Sequence, residues 1–541
     1  MRLFVCGLCL AFLAIYARTW HAGFVWDDPI WVVNNPRLTE PLLAGLSTTQ
    51  HAHMGAAATD AVHPAYESYR PLAFASVWLD HHFFGANPAP MHVENLLWGL
   101  LYAPLVLWVA RALLVREVAA ATATAMFLLH PMQVEVFAYI CTRGDILAGL
   151  CALAAVGLVV QRKPRASIAR LVCVCLLFLL SLLAKESAIG LPFALAALGV
   201  ACRRLRLWFP GLLAMLAAIG FYLVLRVQLV GAGNTSVSKA EALTALINLP
   251  GIALAYAQSF VWPFDLSIAR PVHTEYTAAG WALTLISALF LLWRNLRKRL
   301  DNQPIDDQPS FAAWAAAGWL WLVCLVGPSA VVAITQKAAG DRYAHLGVLG
   351  LCLLGGTGAV WAFDSTTKAS PSWLQRPIVR RLAQAVVGAF AITLLVVTFI
   401  QVSFWRNNVA LYQRALQLEP QSAFANYQVG YLYAQARRWP EAATHFATAV
   451  KYDPENSRAH NNLGVAYLNS NNLPSAQAAF RASLATSGNA NHRAWANLGT
   501  ALLKQGNRQG GCEALQQALH IVPSYSTAVA AHAKHCRTGT P

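Results

Sequence analysis

Apolar residues dominate the chain up to about residue 404 and then give way to a mixed polar pattern. Runs that approach the thickness of a bilayer recur through 1–404, separated by short polar stretches, and none occurs in 405–541. One helix crosses a bilayer core with about 20 apolar residues. The pattern therefore predicts an all-α protein: a polytopic membrane bundle over 1–404 and a soluble tail over 405–541. Spans are expected near 2–19, 93–115, 117–132, 144–161, 167–184, 187–202, 207–230, 277–293, 311–333, 344–364 and 382–404. The first lacks a small-x-small cleavage pattern in its flank Ala17-Arg18-Thr19-Trp20, so it is expected to stay uncleaved.

The tail has a period of 34 or 35 residues. Gly430, Gly464 and Gly499 correspond, as do Tyr433, Tyr467 and Leu502, and Phe446, Phe480 and Leu515. Pro420 and Pro454 lie one period apart and Pro523 two periods after Pro454, while Trp495-x2-Leu498-Gly499 fits the start of a tetratricopeptide repeat. Glycine lets paired helices approach, large side chains fill the seam, and proline ends the second helix. Repeats are expected at about 423–456, 457–491 and 492–525, after a half repeat and before a capping helix. The periodic residues are core residues. The array serves either to recruit a partner or acceptor or as a passive scaffold.

Composition sharpens the division. The chain is 57% hydrophobic and 12% charged, against about 25% charged in soluble domains. The net charge of +16 is clustered between apolar runs: Arg111 and Arg116; Arg162, Lys163, Arg165 and Arg170; Arg203, Arg204 and Arg206; Arg294, Arg297, Lys298 and Arg299; Lys368, Arg376, Arg380 and Arg381. That is the positive-inside signature of topology, not a nucleic-acid surface. With the N-terminus cytoplasmic, these clusters fall inside, and the odd span count puts the tail outside. The chain reads as a multi-pass bacterial inner-membrane protein whose tail faces the periplasm. A further apolar stretch, 244–262, would reverse Arg294–Arg299 if it crossed. It is expected to be re-entrant or to lie along the external face.

Of the 11 cysteines, several sit in apolar runs as small hydrophobes, and none has zinc-ligand spacing. Cys512 and Cys536 can pair if the tail is periplasmic.

Candidate chemistry lies in the first external loop, 20–92, which opens Gly23-Phe-Val-Trp-Asp27-Asp28-Pro29. Adjacent carboxylates beside a membrane repel and are desolvated, which raises their pKa unless a cation compensates. Such a group can act as general base toward a hydroxyl. It can equally form an Asp-Pro turn or a cap after the first span. The predicted topology gathers other polar residues on the same side: Arg70, His92 and Asn95, His130 and Glu135, Thr142-Arg143-Gly-Asp145, Lys185-Glu186, and Asp341-Arg342-Tyr343. Acids converging with Arg and Lys suit an anionic, phosphate-linked substrate, because guanidinium groups hold phosphate through two parallel hydrogen bonds. The paired aspartates leave use of a divalent metal open.

Taken together, Phe-x-Trp-Asp27-Asp28-Pro29, Asn35-Pro36, Tyr69-Arg70-Pro71, His130-Pro131-x-x-x-Glu135, Arg143-Gly-Asp145, Ala184-Lys185-Glu186, Asp341-Arg342-Tyr343 and the repeats resemble the transmembrane and tetratricopeptide-repeat O-mannosyltransferases and their bacterial relatives. These are C-type glycosyltransferases that use lipid-linked sugars. The resemblance implies inverting transfer of a hexose such as mannose from a polyprenyl-phosphate carrier to a hydroxyl acceptor, on protein, at the external face. It makes Asp27 or Asp28 the base, with Asp27 favoured. It assigns Arg342, with Arg143, Lys185 and Arg70, to the carrier phosphate. Glu135, with His130, Asp145, Glu186 and Tyr343, would hold the acceptor or structure the site. The chain departs from these relatives at Asp341-Arg-Tyr-Ala-His-Leu-Gly, where they tend to carry Glu-Arg, aromatic residues and Pro-Ser. Two other readings stay open: a membrane-anchored scaffold without enzymatic activity, and a transporter of lipid-linked sugars.

Overall fold

Helices make up the regular structure among the described residues, with one isolated β-bridge between Arg270 and Ala339. The computed structural model describes residues 1–43, 70–161, 167–230, 238–268, 270, 272, 274–300, 309–336, 339–363 and 377–536. The middle of the first external loop, Tyr69, and the basic residues Arg162, Lys163, Arg165, Lys368 and Arg376 lie outside them.

The chain divides into two units, the first ending at Asn408 and the second beginning at Val409. The first unit opens with α1 (Arg2–Tyr16), α2 (Pro71–Phe84), α3 (Pro88–Leu100), α4 (Tyr102–Leu113) and α5 (Glu117–Leu129). It continues through α6 (Val134–Ala138), α7 (Arg143–Val160), α8 (Ile168–Ala184), α9 (Leu191–Ala201) and α10 (Leu205–Val230). It closes with α11 (Lys239–Val261), α12 (Thr277–Leu300), α13 (Phe311–Gln336), α14 (Val348–Phe363) and α15 (Pro377–Phe404). Among the described residues, eight helical segments are long and apolar enough to cross a membrane, and four shorter apolar helices accompany them. The chain is a multi-pass membrane protein.

Each of the eleven expected spans falls on a helix. The stretch 244–262 falls in α11, one continuous helix of 23 residues that is long and apolar enough to cross and has a form that a helix along the external face also takes. Its start is fixed by a capping box, in which the Ser238 hydroxyl accepts from the Glu241 N–H and the Glu241 side chain accepts from the Ser238 N–H.

Small residues bring these helices together, as lipid-embedded packing requires. Gly356 of α14 lies so close to α5 that a Cβ there would stand 2.3 Å from the Ala119 carbonyl oxygen. Burial grades across the bundle. In the most apolar window of the segment Ile140–Val160 83% of residues are buried, against 28% for α15. Because α7 is central, the polar residues at its N-terminus, Arg143 and Asp145, begin inside the protein.

The second unit is a run of antiparallel helix pairs. After α16 (Asn408–Leu418) come α17 (Ala423–Gln435) with α18 (Trp439–Tyr452), then α19 (Ser457–Asn469) with α20 (Leu473–Thr486). A third pair, α21 (His492–Lys504) and α22 (Arg508–Ile521), is followed by α23 (Ser526–His535). The periodic residues meet as their spacing implies. A Cβ on Gly430 would stand 2.9 Å from the Phe446 ring, one on Gly464 2.5 Å from Phe480, and one on Gly499 2.9 Å from Leu515. Cys512 and Cys536 form a disulfide that ties α22 to the end of α23.

Candidate active site

The turn after α1 is gripped by two backbone N–H donors that precede its aspartates. The Gly23 N–H donates to the Arg406 carbonyl at 3.0 Å, and the Trp26 N–H donates to the Asn408 side-chain oxygen at 2.7 Å. Trp26 takes a left-handed backbone, φ 52°. That conformation costs about 1–3 kcal/mol for a residue with a side chain and persists where the surroundings over-determine it.

The two aspartates then diverge. Asp28 is fully buried and accepts hydrogen bonds from the Val25 and Cys141 N–H groups, each at 3.0 Å. Burial pushes its carboxyl up to about 7, against the pull of those donors. Asp28 closes the turn and pins it to the residues that precede α7. Asp27 stays partly exposed. Its backbone N–H donates to the Tyr139 hydroxyl at 3.2 Å, and that hydroxyl hydrogen-bonds its carboxylate. Burial raises the Asp27 pKa, while Arg342 and Tyr139 lower it. Of the pair, Asp27 is the more exposed carboxylate.

Arg342 faces this turn from the connection between α13 and α14. Its guanidinium and its backbone N–H both bond the buried Glu135 carboxylate of α6, the latter at 3.1 Å. The guanidinium lies 4.7 Å from the Trp26 ring centre, 4.9 Å from Tyr343 and 5.8 Å from Tyr139. Aromatic faces attract a cation without consuming its N–H groups. Arg342, Tyr343 and Asp145 line one cavity together with Ser187, Leu325, His345 and Leu346.

The other candidates are held in pairs. Lys185 sits on Asp145, with Nζ–O distances of 2.6 and 2.7 Å. Arg70 holds Glu186 through two parallel hydrogen bonds of 2.7 and 3.0 Å, and both side chains remain about 30% exposed. His130 caps the turn before α6. Its Nδ1 accepts from the Met132 N–H, its Nε2 bonds the Phe260 carbonyl at 2.9 Å, and its ring stacks on Phe260. It therefore structures the site.

Arg143 departs from its expected role toward the carrier phosphate. Its side chain is 1% exposed and is bound by Asp80 and Glu94 at 3.0 Å, Ser76 at 2.9 Å, the Met91 carbonyl at 3.1 Å, and Asn95. It fastens α2 and α3 to α7, and its guanidinium is enclosed.

Several contributors were not singled out from the sequence. Arg270 pairs with Asp341 at 2.5 Å and so steadies the residue beside Arg342. Asp80 and Glu94 complete the Arg143 cluster. Tyr139 follows the last residue of α6 in an extended conformation, four residues after Glu135. Among the described residues, no group of three His, Cys, Asp or Glu side chains is placed to hold a metal ion.

Comparison with known proteins agrees with both units. The tetratricopeptide-repeat family matches residues 409–456, 427–490 and 466–526. A protein O-mannosyl-transferase of Caenorhabditis elegans is 24% identical over 431 residues, which are 77% of this chain and 58% of that protein. One from Drosophila melanogaster is 30% identical over 182 residues, 33% of this chain and 20% of its own. The chain thus matches less than two thirds of the length of these relatives. Among solved structures, an oligosaccharyltransferase of Archaeoglobus fulgidus aligns over 81% of this chain and 58% of its own, with 13% identity and a TM-score of 0.39.

Proposed function

We propose that this protein is a membrane glycosyltransferase that moves a hexose, mannose by analogy with its relatives, from a polyprenyl-phosphate carrier to a protein hydroxyl. One observation carries the reading. A partly exposed carboxylate, Asp27, and the aromatic-flanked cation Arg342 are both anchored to the segment 135–139, beside a cavity lined in part by Arg342. The names of the curated relatives, protein O-mannosyl-transferases, support the same chemistry.

In this mechanism Asp27 removes the proton from the acceptor hydroxyl. The acceptor oxygen forms a bond to the anomeric carbon from the face opposite the carrier. The bond from that carbon to the phosphate oxygen breaks, and its electron pair leaves with the carrier phosphate. Arg342 stabilises the charge gathering there, with Lys185 and Arg70 next to it, so the phosphate needs no general acid. One displacement inverts the anomeric centre. Asp28 shapes the turn and Glu135 orients Arg342. The repeat tail recruits the acceptor. The Cys512–Cys536 disulfide supports an oxidising compartment for the tail, the periplasm in a bacterium.

The test follows transfer of labelled hexose from polyprenyl phosphate into protein, in membranes holding the full chain. A positioned general base is worth roughly 10²–10⁴-fold. Asp27→Asn is expected to lose that much with normal membrane insertion, and Arg342→Ala is expected to abolish transfer. Wild-type transfer by Asp27→Asn would remove the base from the mechanism.

A further inference from the structure

The residues that hold the base and the cation are consecutive turns of one short piece of chain. Glu135, in α6, binds Arg342 through both its backbone and its guanidinium. Tyr139, one turn later, binds Asp27, and the Cys141 N–H binds Asp28. Seven residues thus set the spacing between proton acceptor and cation.

Tyr139 is the least replaceable contact in that piece. Its hydroxyl both accepts from the Asp27 N–H and bonds the Asp27 carboxylate, so it fixes the backbone and the side chain of the same residue. Its ring is 2% exposed, stacks on Trp26 at 5.7 Å and leans on Trp405 at 5.4 Å. Its carbonyl accepts from Asn95, which also bonds Arg143. The hydroxyl therefore cannot swing away from Asp27 without breaking a packed aromatic stack and a buried polar cluster.

We propose that Tyr139 is the positioning residue for Asp27, holding its carboxylate in one rotation so that the free oxygen meets the acceptor hydroxyl. The inference rests on the reading of Asp27 as base. Only the hydroxyl is required for this role, whereas the ring serves packing. The charged and titratable groups facing Asp27 are Arg342, Asp28, Tyr343, Cys141 and Tyr139 itself. Of these, Arg342 and the Tyr139 hydroxyl favour the ionised carboxylate. Without the hydroxyl, Asp27 holds its proton to higher pH.

Tyr139→Phe tests this, since it keeps the ring and removes one oxygen. Two measurements on the full chain in membranes are needed. The first is the pH profile of hexose transfer. Transfer needs ionised Asp27, so its acidic limb is expected to move to higher pH, with a roughly 10–100-fold lower kcat and an unchanged KM for the lipid-linked donor. The second needs no activity: labelling of Asp27 by a hydrophobic carbodiimide, which attacks protonated carboxyl groups, followed as a function of pH by mass spectrometry. The labelling midpoint is expected to rise in Tyr139→Phe relative to wild type. An unchanged midpoint would overturn the proposal, and so would a Tyr139→Phe enzyme with wild-type kcat and profile. A shifted midpoint in a protein that transfers no hexose would uphold the hold on Asp27 while refuting the glycosyltransferase reading.

Discussion

The membrane unit and the repeat tail use charge in opposite ways. In the membrane unit four ion pairs are enclosed: Arg143 with Asp80, Lys185 with Asp145, Arg270 with Asp341, and Arg342 with Glu135 all have side chains no more than 12% exposed, while Arg70–Glu186 and Arg111–Glu117 stay open to solvent. In the tail, Arg438 and Glu441 form a pair that is 57% and 41% exposed. An enclosed pair loses much hydration, so removing one partner strands the other. An exposed pair trades one set of water contacts for a weak attraction. The tail coheres through repeating apolar contacts, whereas the membrane unit fixes its non-repeating polar residues by pairing them.

The sharpest way to break this comparison is Arg143→Ala. It leaves the buried Asp80 and the partly exposed Glu94 without their cation, and stranding a buried carboxylate typically costs about 3–5 kcal/mol. Burial and a hydrogen bond shared with Glu94 already raise the Asp80 pKa, while Arg143 lowers it. Without Arg143 the carboxyl takes up a proton more readily. The penalty is therefore largest at high pH and is relieved as pH falls. Thermal unfolding of the detergent-solubilised protein at two pH values checks both size and sign. An Arg143→Ala protein as stable as wild type at high pH would remove the distinction between enclosed and exposed pairs.

The same contrast explains what was legible in the sequence. Helix positions were readable because lipid tolerates few polar interruptions, and the tail was readable because Gly464 and Phe480 recur in register with Gly430 and Phe446. The start of α11 was also readable, because Ser238-x-x-Glu241 is a capping-box pattern. In the site, the sequence nominated Asp27, Asp28, Glu135 and Arg342, and the fold brings them to neighbouring segments. It gave no sign that Arg143 is enclosed, because its partners Asp80 and Glu94 lie 63 and 49 positions earlier, on other helices. Long-range pairing leaves no periodic trace, and one chain carries no record of which acids move with which cations.

Cys512→Ser probes the tail by its one covalent tie. The bridge closes 24 residues, and a loop of that size is worth about 3 kcal/mol. The last helix, α23, is also held by Ala528 and Ala531 in an apolar cluster, an edge contact between Tyr525 and His492, and a hydrogen bond from Arg508 to the His535 carbonyl at 2.8 Å. Amide exchange over 526–535 is expected to speed up by roughly 100-fold, the same energy expressed as an opening equilibrium. The membrane unit should keep its protection, because its nine cysteines are all free. Unchanged exchange in α23 would mean that apolar contacts alone hold the end of the array.

Arg438→Ala is the smallest change and the control for the first. Its guanidinium makes two hydrogen bonds to Glu441 at 2.7 and 2.9 Å, shorter than the 3.0 Å contacts of Arg143 with Asp80 and Glu94. By distance alone it should matter as much as Arg143. By exposure it should matter little, and it should weaken further in salt, since water and counter-ions reach both groups. The two substitutions set burial against bond length: each deletes one arginine from a carboxylate contact of 3.0 Å or less, but Arg143 takes with it a second carboxylate and three neutral partners inside the protein. A loss from Arg438→Ala comparable to that from Arg143→Ala, measured by thermal unfolding in the same buffer, would show that bond length rather than burial sets the value of these pairs.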